Sequence, residues 1–166
     1  MPVLLLCTVL LFSCERPFVL GPSQEPARTV QLEQADEEVM QIAEDARDTL
    51  TGFFRRINSA GAEESDFCVK YPFAVNDDSG IDTEQIWLTG IRFRDGTYYG
   101  ILAGTPRCLD GMKRGDTVAF DTEMITDWMY VRNGKIIGGY SIKYLLEKIP
   151  DDQRTDSERK LLQMFD

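Results

Sequence analysis

Two dipeptides, Asp95-Gly96 and Asn133-Gly134, constrain this chain's fold more than any other feature. A two-residue type I′ loop needs positive φ at both positions, which Gly tolerates freely and Asn or Asp enter at low cost. Each dipeptide sits between runs rich in β-branched and aromatic residues. Ile86 to Arg94 and Thr97 to Ala103 flank the first, and Asp127 to Arg132 and Lys135 to Ile142 flank the second. Two antiparallel hairpins are expected. Their loops set the register: Phe93 opposite Tyr98, Arg92 opposite Tyr99 and Ile91 opposite Gly100, then Val131 opposite Ile136, Met129 opposite Gly138 and Trp128 opposite Gly139. Large side chains facing paired glycines predict a strongly curved, barrel-like antiparallel sheet.

The other segments extend this reading. Phe67 to Tyr71 is a strand stopped at Pro72, Asn76 to Gly80 is a turn cluster, and Lys113 to Asp116 is a turn before a short strand at Thr117 to Phe120. Upstream, Leu32, Ala35, Val39, Ile42, Ala46, Leu50, Phe53 and Ile57 recur every three or four residues, which predicts an amphipathic helix ending near Gly61. Glu33, Glu37, Glu44 and Asp48 point away from that stripe. At the other end, Thr155-Asp156-Ser157-Glu158 has capping-box spacing ahead of Leu161, Leu162 and Phe165, which predicts a short helix. The fold class is α+β: a curved antiparallel sheet flanked by an N-terminal amphipathic helix and a short C-terminal helix. No internal repeat is present.

At 166 residues, one domain is expected, spanning 30–166. Its formal charge of -10 would repel a phosphate backbone, so nucleic acid is excluded as a partner. The absence of histidine removes Ser-His and Cys-His catalysis and His-containing zinc sites.

The first residues read as an address. Val3 to Phe12 is an apolar run of signal-peptide length, shorter than the roughly 18 residues a membrane span needs. It ends in Leu11-Phe12-Ser13-Cys14, which resembles the bacterial lipobox. That resemblance implies a signal peptide over 1–13 and lipidation of Cys14, which would place the chain at the bacterial cell envelope, on the outer membrane or periplasmic face. A plain secretory signal and a buried apolar N-terminus remain the alternatives. Residues 14–29, with Pro17, Gly21, Pro22 and Pro26, read as an extended tether. Cys68 and Cys108 are then an even pair that either forms one disulfide or stays as two buried thiols.

Phe67-Cys68-Val69-Lys70-Tyr71-Pro72-Phe73, Glu84-Gln85-Ile86-Trp87-Leu88, the Lys113 to Asp116 turn, and Asp127 to Val131 through Gly138 to Ile142 together resemble the YegJ-like domain of uncharacterised bacterial proteins. The resemblance covers about residues 66–165. It implies a shared fold and no reaction.

No complete catalytic set accompanies these segments, and neither a cofactor nor a metal is expected. Glu84, Asp116, Glu123 and Asp127 could supply a carboxylate pair for hydrolysis, but spacing alone does not bring two of them together. Asp77, Asp78, Asp82 and Glu84 do not fit a calcium loop, because Val75 and Ile86 stand where its first and twelfth ligands belong. Ser157-Glu158-Arg159-Lys160 has Ser-x-x-Lys spacing at a helix start, where capping explains the serine. Arg114-Gly115-Asp116 is a turn. The aromatic residues Trp87, Tyr99, Trp128, Tyr130 and Tyr140 form either core or a recognition surface. The expectation is a lipid-anchored, non-enzymatic module binding a protein, peptide or small ligand. The alternatives are a carboxylate-dependent hydrolase of envelope polymers and an immunity or inhibitor protein whose acidic face meets a basic partner.

Overall fold

Helix α1 (Glu37–Ile57) forms on the expected apolar stripe, with Ala46 and Phe53 buried and Leu50, Phe54 and Ile57 packed about them. Glu37 and Glu38 in its first turn and Arg55 and Arg56 in its last complement the helix dipole. The computed structural model describes residues 37–75 and 82–165. The apolar leader, Cys14, the tether, Leu32 to Ala35 and the Asn76 to Gly80 turn lie outside them.

Six strands follow: β1 (Glu64–Ala74), β2 (Thr83–Arg94), β3 (Thr97–Leu102), β4 (Thr117–Phe120), β5 (Asp127–Arg132) and β6 (Lys135–Gly138). They form one antiparallel sheet in the order β4-β3-β2-β1-β5-β6. The α+β class is the expected one, an antiparallel sheet with an N-terminal helix and a short C-terminal helix, and the sheet is open, with β4 and β6 as its edges.

Both hairpin loops have the expected geometry, with φ of 52° and 80° at Asp95 and Gly96, and 51° and 74° at Asn133 and Gly134. Phe93 pairs with Tyr98, Arg92 with Tyr99, Val131 with Ile136 and Met129 with Gly138. The expected Ile91 to Gly100 pair does not form, because the register shifts between Thr89 and Arg92, where Gly90 takes φ 58°. A second shift lies between Ser65 and Cys68, with Asp66 at φ 55°. Such bulges bend their strands.

Strand β1 runs through Pro72 instead of stopping there. The carbonyl of Lys70 accepts from the Thr126 amide, so Lys70 faces β5, and Pro72, two residues on, faces the same way. β5 has ended by that point, its last partner being Asp127 opposite Lys70, so the missing N–H of Pro72 costs no ladder bond.

The second arm of the Asn133-Gly134 hairpin also differs from expectation. β6 ends at Gly138, and Tyr140 to Ile142 belong to a further helix, α2 (Tyr140–Lys148). The expected Trp128 to Gly139 pair is reduced to one bond, from the Gly139 amide to the Trp128 carbonyl at 2.8 Å. Gly138 and Gly139 take φ of 78° and 68° to turn the chain into α2. Helix α3 (Asp156–Met164) starts on the full capping box, Thr155 accepting from the Glu158 amide and Glu158 from the Thr155 amide. After it, Phe165 makes a parallel bridge to Ile136 on the outer side of β6.

Alternation along β5 divides the core between the two faces of the sheet. Trp128 and Tyr130 join Ala46 and Phe53 of α1, whereas Met129 joins Ile142 and Leu146 of α2, Leu161 of α3 and Phe165. Glu38 ties α1 to α2 by accepting from Lys148 and from the Tyr144 hydroxyl, both at 2.6 Å. These bonds hold its carboxyl below its usual range. No described helix is long and apolar enough to cross a membrane.

Candidate functional site

A cleft of about 640 Å³ opens between α1 and β5, within the size range of small-molecule and cofactor pockets. Its inner wall is aromatic. Trp128 and Tyr130 project from alternate positions of β5 with ring centres 6.2 Å apart and planes 16° apart. Tyr140 meets Trp128 edge-on at 5.8 Å. The opposite wall is one stripe of α1 that includes Asp48, Thr49, Gly52 and Arg55.

Hydrogen bonds fix the aromatic wall to the helix. The Trp128 Nε1–H is shared between the Ala46 carbonyl at 2.8 Å and Thr49 Oγ1 at 3.2 Å. Thr49 Oγ1 also lies 3.0 Å from the Tyr140 hydroxyl.

Gly52 is the unexpected residue of the helical wall. Inside a helix, glycine costs about 1 kcal/mol relative to alanine. Here its φ is not left-handed, and a Cβ would meet nothing within 4 Å. Nothing in the described fold requires a glycine, and its effect is to leave that wall bare. Asp48 and Arg55, seven residues apart and so about 10 Å along the axis, put opposite charges on the rim. Arg56 is paired with Glu64 at 3.3 Å.

Behind the cleft, Asp127 is fully buried. Its Oδ1 accepts from the amides of Trp128 (2.7 Å) and Tyr140 (3.2 Å), and its Oδ2 from the amide (2.8 Å) and hydroxyl (2.6 Å) of Ser141. Gly139, the N-cap of α2, offers no side chain, so Asp127 satisfies the helix's first amides from a neighbouring strand. Burial pushes the Asp127 carboxyl up, against the Ser141 hydrogen bonds, the Lys70 charge and the Trp128 amide. With four donors on its two oxygens, this carboxylate positions Trp128 and Tyr140. The Ser141 hydroxyl donates to Asp127 and accepts from Lys70 Nζ at 3.4 Å, so it is engaged on both sides.

The structure brings three of the five sequence-selected aromatics together: Trp128, Tyr130 and Tyr140. Trp87 is buried on the other face of the sheet, with Lys70 Nζ 5.7 Å from its ring. Tyr99 lies half-buried on β3 with the Arg94 guanidinium 5.5 Å from its ring. Of the four carboxylates, Glu84 accepts from the amides of Arg107 and Cys108, and Asp116 from the amide of Lys113. Asp127 caps α2, and Glu123 is exposed in the 3-10 turn Thr122–Met124. Cys68 and Cys108 are both free thiols. Burial, helped by the Asp66 charge, pushes the Cys68 thiol up to about 12. The roles of Gly52, Arg55 and Asp127 were not singled out from the sequence. A glycine in the middle of an amphipathic pattern was the available signal for the first.

The family model described as "Uncharacterized protein conserved in bacteria (DUF2314)" matches residues 36–162. A protein of Neisseria meningitidis serogroup B named "Putative ankyrin repeat protein" is 36% identical over 136 residues, covering 76% of this chain and 52% of that protein. The chain thus spans about half the length of that relative. The uncharacterised protein YegJ of Escherichia coli K12 is 32% identical over 117 residues, 70% of this chain and 72% of YegJ. No solved structure matches.

Proposed function

The chain belongs to DUF2314, a bacterial family of uncharacterised proteins, and from that premise we propose that it is a non-enzymatic binding module whose α1–β5 cleft takes a peptide, protein segment or small ligand. The observation that carries this reading is the bare helical wall at Gly52 facing three aromatics, two of them, Trp128 and Tyr140, fixed by hydrogen bonds to α1. A glycine that costs helix stability and relieves no internal clash is accounted for by a guest in the space it leaves. The lipobox-like Cys14 and the Pro-rich tether extend the proposal to a module held at the bacterial envelope by a lipid. A relative named for ankyrin repeats, stacked units with extended binding surfaces, is in keeping with a protein partner.

Two measurements test it. Gly52→Trp fills the cleft from a position with free space, and Gly61→Trp adds the same ring at another open position outside the cleft. A partner captured from the native envelope by the wild type is expected to be lost with Gly52→Trp and kept with Gly61→Trp. Equal capture by both variants would remove the cleft from the proposal. For the anchor, radioactive palmitate is expected to label the wild type and not Cys14→Ala. An unlabelled wild type would refute it.

A further inference from the structure

Tyr130 is only 5% exposed, yet its hydroxyl makes no hydrogen bond among the described residues. Aromatic carbon covers its ring: Phe67 stacks on it at 4.9 Å and 8°, and Trp128 lies nearly parallel at 6.2 Å. Among the described residues, no side-chain polar atom sealed from solvent lacks a partner. The Tyr130 hydroxyl, which has none, therefore reaches solvent, and it does so through the cleft that Tyr130 lines. It is a donor without an acceptor in the aromatic wall.

The packing of α1 on β5 fixes which end of the cleft this hydroxyl serves. The Trp128 indole bonds to Ala46 and Thr49. Further along, Arg56 pairs with Glu64, whose strand partner is Arg132. Helix and strand thus run side by side in the same direction. Tyr130, midway from Trp128 to Arg132, is level with the stretch of α1 from Gly52 to Arg56. Arg55 lines the cleft there, is exposed, and makes no ion pair among the described residues. Asp48, the acidic residue of the lining, stands about 10 Å back along the axis. The cleft therefore has a donor end at Arg55 and Tyr130 and an acceptor end at Asp48.

We propose that the donor end takes the free carboxylate of a peptide's C-terminal residue, whose apolar side chain fills the space beside Gly52. This rests on the reading of the cleft as a binding site and names what it binds. A guanidinium and a phenol hydroxyl can both donate to one carboxylate, and such charge-assisted bonds are the strong ones. Arg56 is already engaged by Glu64, so the lining offers one uncompensated positive charge at this end. A singly charged carboxylate matches it. A doubly charged phosphate does not, and the formal charge of -10 on the chain opposes it further. Gly52 and Arg55 are about 4.5 Å apart along the helix axis, so the apolar group and the anion belong to one residue. A chain end supplies both on the same Cα, whereas an acidic side chain inside a peptide carries its charge on a different residue from its apolar neighbour.

N-acetylphenylalanine and its amide differ in this charge and serve as probes. The chain has two tryptophans. The indole N–H of Trp128 reports on the cleft, and that of Trp87, on the other face of the sheet, is the reference. Titrated into the isotope-labelled full chain and followed by two-dimensional NMR, the acid is expected to shift the Trp128 signal alone, with a Kd on the order of 1 mM, and the amide to bind about tenfold more weakly. Tyr130→Phe and Arg55→Met are each expected to weaken the acid about tenfold and to leave the smaller response to the amide unchanged, a selective loss that a structural role would not produce. Equal binding of acid and amide overturns the carboxylate assignment and leaves the cleft standing as a binding site. A Trp128 signal that neither probe moves overturns it too, and capture with Gly52→Trp then decides separately whether the cleft binds at all. Tighter binding of phenyl phosphate than of the acid overturns the choice of anion. Equal binding of acetyl-glutamyl-phenylalaninamide, whose charge sits on a side chain, overturns the choice of a chain end.

Discussion

Asp127 shows how one side chain can carry both a fold and a site. Its carboxylate receives amides from β5 and α2 together, so the start of α2 and the ring of Tyr140 are placed relative to Trp128 by a single group. Asp127→Ala leaves three amides and the Ser141 hydroxyl without that acceptor. It is expected to cost on the order of 3 kcal/mol or more, read from urea unfolding. Cys68 makes a different prediction. Its thiol is raised from 9.0 to about 12 in the folded chain, so the folded state holds the proton after the unfolded state has released it. The contribution is therefore complete below pH 9 and is lost as pH rises toward 12. The stability difference between wild type and Cys68→Ala is expected to shrink over that range in thermal melts. In native protein at pH 8, iodoacetamide followed by peptide mapping should label the half-buried Cys108 and leave Cys68 unmodified.

At the scale of elements, two glycines of opposite kind give opposite expectations. A Cβ on Gly138 would lie 2.3 Å from the Trp128 carbonyl oxygen and 2.7 Å from its ring, at φ 78°. Gly138→Ala is expected to destabilise by about 3 kcal/mol, because it combines a left-handed backbone with an overpacked contact. Gly52→Ala meets neither obstacle and replaces a poor helix former, so it is expected to stabilise by roughly 0.5–1 kcal/mol. Chemical denaturation of both variants checks the pair, and a destabilised Gly52→Ala would show that the fold itself uses that glycine. The same elements explain what could be read from the chain. The hairpin registers near both loops were legible because Asp95-Gly96 and Asn133-Gly134 demand positive φ locally. Helix α2 was not, because its capping group stands in β5, thirteen residues before Tyr140, and Tyr140 to Ile142 continue the aromatic and β-branched character of β6. Pro72 misled for a similar reason. Its harmlessness depends on where β5 ends, which no local pattern records. Three cleft aromatics were recognisable by type, whereas their helical wall became part of a site only once α1 docked.

For the whole molecule, the sheet has cores on both faces, and the part after Pro150 completes only one of them. Leu161 and Phe165 enter the cluster with Met129, Ile136, Ile142 and Leu146, and Phe165 also covers the outer side of β6. Ending the chain at Arg154 would remove both side chains and uncover that edge while leaving the α1 face and its cleft untouched. Full burial of a leucine and a phenylalanine contributes roughly 4 kcal/mol together, which for a domain of this size is a fall in Tm on the order of 10 °C. The newly bared β6 would present unpaired amides beside exposed apolar surface, the combination that recruits another strand. The truncated chain is therefore expected to melt lower and to self-associate through β6. Adding back a peptide of residues 155–166 is expected to reverse both effects in part. If truncation lowers Tm with no gain in association, α3 and Phe165 serve the core alone.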